Sequence, residues 1–142
     1  MEKLSKGFLG SNVAVVGCTK ADNLYYKRLH KHFTKNGVRL IGMPTTPPSP
    51  LGFETYPDFD SFPLPIDCAF VLSDKKDTPG IVGELARIGV KRVLFYGKAS
   101  LDAGMVADCE KRGMEVRMGC PLMLFGSGPC QLHRALSGVQ RD

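Results

Sequence analysis

Short apolar runs alternate along this chain with amphipathic segments, and that alternation limits the fold more than any other feature. The runs lie at Asn12–Val16, Val38–Gly42, Cys68–Leu72, Arg92–Phe95 and Glu115–Arg117, each of strand length and rich in β-forming residues. Between them, Leu24–Asn36, Pro79–Arg87 and Leu101–Arg112 repeat apolar residues at helical spacing: Tyr25, Leu29 and Phe33, then Ile81, Leu85 and Ile88, then Leu101, Met105 and Cys109. Gly37, Gly89 and Gly113 follow the three helical segments, as left-handed caps do. Thr78 ahead of Pro79 reads as an N-cap with proline at the first helical position, and Ser100 can cap the helix that begins at Leu101. Strand, helix, strand units joined by short turns imply parallel strands, because right-handed crossovers return the chain to the same direction. The expected fold is α/β: a Rossmann-like, doubly wound, five-stranded parallel sheet in three layers.

One stretch breaks the pattern. Pro44–Pro65 holds seven prolines, which suits an extended connection with at most a short helix near Asp58–Phe62. With 142 residues, 43% of them hydrophobic, the chain is long enough to bury one real core. Residues 1–125 are therefore expected to form one domain, and 126–142 a linker, beginning at Gly126-Ser127-Gly128-Pro129, with a short tail helix. No apolar run approaches bilayer length and Met1–Lys6 lacks the apolar part of a secretory signal, so a cytoplasmic location is expected, with no membrane contact. Five cysteines without C-x-x-C spacing suit reduced thiols. Three scattered histidines offer no metal signature.

Function is written most clearly at the start. Val13-Ala14-Val15-Val16 runs into Gly17-Cys18-Thr19-Lys20 and then into a helical pattern. A strand feeding a small-residue turn and a helix N-terminus presents backbone N–H groups to a phosphate, and Thr19 and Lys20 would add a hydroxyl and a positive charge. Many α/β proteins begin this way without a nucleotide. The doubly wound topology would gather Gly17–Asn23, Met43–Leu51, Ser73–Thr78, Tyr96–Ser100 and Gly119–Leu122 around one crevice beyond the strand C-termini. The charge balance agrees with an anionic ligand: the chain carries a net +5, and Lys20, Lys27, Arg28, Lys31, Lys35 and Arg39 face only Asp22 in their stretch. Lys27, Lys31 and Lys35 also repeat at helical spacing, and for these three a solvated helix face is a more direct reading than phosphate binding. Nucleic acid is not indicated, since no basic run is interleaved with aromatics.

A dinucleotide fingerprint fails in detail. Thr19 and Asp22 stand where glycines are needed, and Gly42-Met43 replaces the acid that would hold a ribose; no P-loop string occurs either. Several segments in order instead resemble the single-domain CoA-binding proteins, similar to the CoA-binding domain of the succinyl-CoA synthetase α subunit. They are the first turn, Asn36–Pro44, Thr55-Tyr56-Pro57, Ile66–Leu72, Gly89–Val93 and Gly119-Cys120-Pro121. The resemblance covers about Ser11 to Leu124. It implies that Gly17, Cys18, Thr19 and Lys20 hold the phosphates of coenzyme A or an acyl-CoA, and that Pro44 and Thr45 border the nucleotide. It further implies that Leu72 and Ser73 contact adenine or pantetheine, and that Cys120 lies near the thiol end; Tyr96 is set at the crevice edge by the topology itself. Met43-Pro44 replaces the family's asparagine-proline.

No acid–base pair, triad or metal cluster can be picked out, so no catalytic residue is assigned. Binding without catalysis, as carrier, sensor or partner subunit, is the leading expectation. The alternatives are a nicotinamide-dependent reductase, the CoA subunit of an acyl-CoA ligase, or an interaction module without ligand. Cys18 and Cys120 suit small apolar packing at strand ends, while an edge position leaves thiol exchange with CoA open. The run Leu122–Phe125 could line a pocket, but suits better a packed C-terminal segment or a contact between two copies.

Overall fold

A computed structural model describes residues 4–17, 23–43, 54–63, 65–73, 76–96 and 103–125. Five strands form one sheet: β1 (Asn12–Val16), β2 (Arg39–Met43), β3 (Cys68–Val71), β4 (Arg92–Phe95) and β5 (Glu115–Met118). The helices are α1 (Lys6–Leu9), α2 (Asn23–Lys35), α3 (Thr78–Arg87) and α4 (Ala103–Lys111). Short 3-10 turns occupy Phe59–Ser61 and Pro121–Phe125. All strand pairs are parallel and the order across the sheet is β2-β1-β3-β4-β5. The expected α/β, doubly wound, three-layer sheet is what forms.

Alternation along the strands sorts their side chains into two cores. Val13 and Val15 of β1, Leu40 of β2, Cys68 and Phe70 of β3 and Leu94 of β4 pack with Tyr26, Leu29 and Phe33 of α2, and with Phe8 and Leu9 of α1. Their neighbours Ala14, Val16, Ile41, Ala69, Val71, Val93 and Phe95 face the other way, onto Ile81, Val82 and Leu85 of α3 and Cys109 of α4. Period-two alternation thus serves a sheet buried on both faces. The face of α2 is carried by Tyr26 with Leu29 and Phe33; the side chain expected at Tyr25 lies outside what is described.

Three local features differ from the sequence expectation. Thr78 is not the N-cap of α3: Asp77 takes that position without a capping side-chain bond, and Thr78 begins the helix. The physical reason is that the Thr78 hydroxyl is engaged elsewhere, 2.9 Å from the Ser73 hydroxyl. Helix α1 was not signalled by the periodicity, being a single turn; Arg92 donates to its carbonyls at Gly7 and Phe8, and the Arg117 guanidinium lies 4.7 Å from the centre of the Phe8 ring. The proline-rich connection folds against the sheet in its second half. Gly42 donates to Glu54 and Tyr56 donates to Gly42, a parallel bridge that covers the outer edge of β2. The short helix expected near Asp58–Phe62 forms as the 3-10 turn at 59–61, capped by the Asp58 carboxylate accepting from the Ser61 amide. Gly37, Gly89 and Gly113 hold the positive φ expected of helix-ending glycines. The cap expected at Ser100 and the tail at 126–142 lie outside the described residues.

Candidate functional site

Helix α2 follows β1 and lies on one face of the sheet, whereas α3 and α4 follow β3 and β4 and lie on the other. The chain direction across the sheet therefore reverses between β1 and β3, whose C-terminal ends meet at Gly17 and Ser73. Such a switch point leaves an open crevice, because the connections depart to opposite faces.

The backbone there is drawn close. The Gly17 amide donates to the Met43 carbonyl at 3.3 Å and the Leu72 amide donates to the Val16 carbonyl at 2.9 Å. Gly17 holds φ +84°, and a Cβ built on it would stand 2.9 Å from the Ser73 Cβ and 3.0 Å from the Ser73 amide nitrogen. Only glycine fits that conformation and that contact together. Ser73 is in turn held by the hydroxyl pair with Thr78, and both residues are 1% exposed. Next along the edge, the Tyr96 amide donates to the Val71 carbonyl at 3.4 Å and its ring lies 6.1 Å from that of Phe70. Leu72 and Tyr96 are both half-buried and lean onto the α2 side of the sheet.

Of the site residues read from the sequence, the fold thus brings Gly17, Leu72, Ser73 and Tyr96 to one edge. Cys18, Thr19, Lys20, Pro44 and Thr45 lie outside the described residues. Cys120 follows β5, but its side chain is 0% exposed, packed in the same core as Leu29, Phe70 and Leu122. A thiol so enclosed is out of reach of an incoming disulfide, so the exchange chemistry left open at this cysteine gives way to packing. Burial also pushes the Cys68 thiol up, and raises that of Cys109 to about 11 with help from the Asp108 charge. Leu122 is fully buried, so the run after Cys120 is anchored in the core rather than lining a pocket. The residue that sequence reasoning passed over is Thr78, read as a cap rather than as the partner of Ser73. Its signal was a hydroxyl at the end of the loop that begins at Ser73, just before Pro79.

The strand ends carry Gly17, Met43, Ser73, Tyr96 and Gly119, and none of these offers a carboxylate. Gly42 and Met43, at the end of β2, are both buried, so that position offers no acid for a ribose diol. Among the described residues no three His, Cys, Asp or Glu side chains gather as a metal site, and no helix is long and apolar enough to cross a membrane.

A family described as CoA binding domain matches residues 11–125. The chain belongs to this CoA-binding family. No curated protein matches the sequence. Among solved structures, a conserved hypothetical protein from Pyrococcus furiosus is similar, with a TM-score of 0.65 and 20% identity over 80% of this chain and 97% of that one. A protein from Thermus thermophilus is similar at TM-score 0.64 and 18% identity, over 85% and 92% of the two chains. The UDP-N-acetylglucosamine 3-dehydrogenase of Acidithiobacillus ferrooxidans is similar at TM-score 0.56 and 12% identity, over 76% of this chain and 36% of that one. At these identities the likeness is one of fold.

Proposed function

We propose that this domain binds coenzyme A or an acyl-CoA at the C-terminal edge of the sheet and does not itself catalyse a reaction, acting as carrier, sensor or partner subunit in the cytoplasm. The observation that carries the reading is the approach of Gly17 to Ser73 at the switch point. It requires a residue without a side chain at Gly17, the first position after β1, on the approach a pyrophosphate would take to the N-terminus of α2. In this reading Gly17, Cys18, Thr19 and Lys20 hold the phosphates, Pro44 and Thr45 border the nucleotide, and the half-buried Leu72 and Tyr96 line the adenine or pantetheine, while Ser73, expected beside them, is 1% exposed and holds the edge from below through Thr78. Cys120 supports the edge from within the core.

Calorimetric titration with CoA, acetyl-CoA, NAD, NADP and ATP side by side tests the assignment. CoA or acetyl-CoA should bind tightest, and Lys20→Ala should weaken that binding and flatten its salt dependence. Tighter binding of NADP, or CoA binding indifferent to Lys20→Ala in both respects, would overturn the assignment. The reductase alternative draws no support from the end of β2, where Gly42 and Met43 offer no group for a ribose.

A further inference from the structure

Helix α2 carries Lys27, Arg28, Lys31 and Lys35 and no Asp or Glu, so its +4 accounts for most of the chain's net +5. Lys27, Lys31 and Lys35 are exposed and Arg28 partly so. Among the described residues none of the four reaches a carboxylate, in contrast to three arginines elsewhere. Arg87 pairs with Glu84 and Asp60, Arg112 with Asp108, and Arg39 with Glu54. Arg87 of α3 is thus matched by an acid three residues away, and Arg112, just past α4, by one four residues away. On α2 the same spacing sets Lys27 against Lys31 and Lys31 against Lys35, an arrangement that opposes helix formation. The helix dipole compensates Lys35, in the last turn, but not the other two.

The opposite face of α2 is spent on the sheet, with Tyr26, Leu29 and Phe33 buried. Its outer face therefore has no apolar side to insert into a bilayer. Nor does its described part hold an exposed aromatic on which bases could stack. What it does present is a row of three cations, about 6 Å from one to the next at the rise of an α-helix. Carboxylates four residues apart on another helix have the same spacing.

We propose that the outer face of α2 docks an acidic helical segment of a partner protein, whose carboxylates at i, i+4 intervals pair with Lys27, Lys31 and Lys35, with Arg28 beside them. The inference does not depend on the coenzyme reading. It would give this small domain an address for a partner on a surface separate from the Ser73 edge.

The test uses the full chain and a synthetic alanine-rich peptide with glutamate at every fourth position. A second peptide has the same composition with its glutamates shuffled. The spaced peptide should bind about tenfold tighter than the shuffled one, and amide NMR shifts should map to residues 27–35. The variant Lys27→Gln/Lys31→Gln/Lys35→Gln should lose about tenfold in affinity, as expected for three exposed pairs acting together. Lys31→Glu alone should weaken binding further than Lys31→Gln, which keeps the test decisive if the triple variant folds poorly. Equal affinity for the two peptides would overturn the proposal. So would tighter binding, at the same salt, of oligouridylate or of phosphatidylserine-containing vesicles. If saturating CoA displaces the peptide and the triple variant loses CoA as well, the face belongs to the coenzyme site and the proposal fails.

Discussion

Gly17 and Ser73, 56 positions apart in the chain, meet so closely that a single Cβ on Gly17 would stand 2.9 Å from the Cβ of Ser73. The contact joins the C-terminal ends of β1 and β3, the two strands between which the sheet changes direction. A backbone pressed this close leaves the turn after β1 free of side-chain bulk at its first residue. The same contact makes that position intolerant of change.

Gly17→Ala should therefore cost more than an ordinary helix-ending glycine. Gly37 also holds a positive φ, but a Cβ there meets nothing within 4 Å, so Gly37→Ala should cost only backbone strain, about 1 kcal/mol. Gly17→Ala adds a clash with Ser73, worth about 1–3 kcal/mol more. Urea unfolding of the two variants measures the difference. Equal losses would mean that the Ser73 contact relaxes without cost.

The hydroxyls of Ser73 and Thr78 should be energetically coupled. Thr78→Val keeps the shape and removes the bond to a 1% exposed Ser73, for an expected loss of about 1–2 kcal/mol. A double-mutant cycle with Ser73→Ala should return a coupling of about 1 kcal/mol, which an additive pair would contradict.

Native-state thiol labelling at mildly alkaline pH should leave Cys68, Cys109 and Cys120 unmodified. All three are fully buried, and burial holds the thiols of Cys68 and Cys109 well above the usual range. Peptide mapping after treatment with CoA disulfide reads the outcome. The three should label only once denaturant is added, and rapid native labelling of Cys120 would show that its core opens.

On the outer edge of β2, hydrogen bonds from Arg39 and then Tyr56 hold the Glu54 carboxyl below the usual value of 4.5. A folded-state pKa below the unfolded one adds stability that is complete above pH 4.5 and is lost as the pH falls through the folded value. The pair is exposed, so the effect should be small and weakened by salt. Arg39→Gln should move the Glu54 carboxyl titration, followed by carbon-13 NMR, upward toward the ordinary midpoint. A titration unmoved by this change would deny Arg39 its leading part.

The sequence by itself determined where the strands and the long helices run. Period-two and period-3.6 patterns are local, and they ended where Gly37, Gly89 and Gly113 allow a left-handed turn. The parallel sheet followed from those units, and the missing acid after β2 was readable directly at Gly42-Met43. Only the tertiary structure decided what meets across long separations. It set β3 beside β1 rather than beside β2, pressed Ser73 onto Gly17, and turned Thr78 from a helix cap into the partner of Ser73. It also turned Cys120 into the core beside Leu29 and Leu122. A side chain's period tells which face of its own element it occupies. What stands against that face depends on how the layers close, and at this edge the closing of the layers sets which residues can meet a ligand.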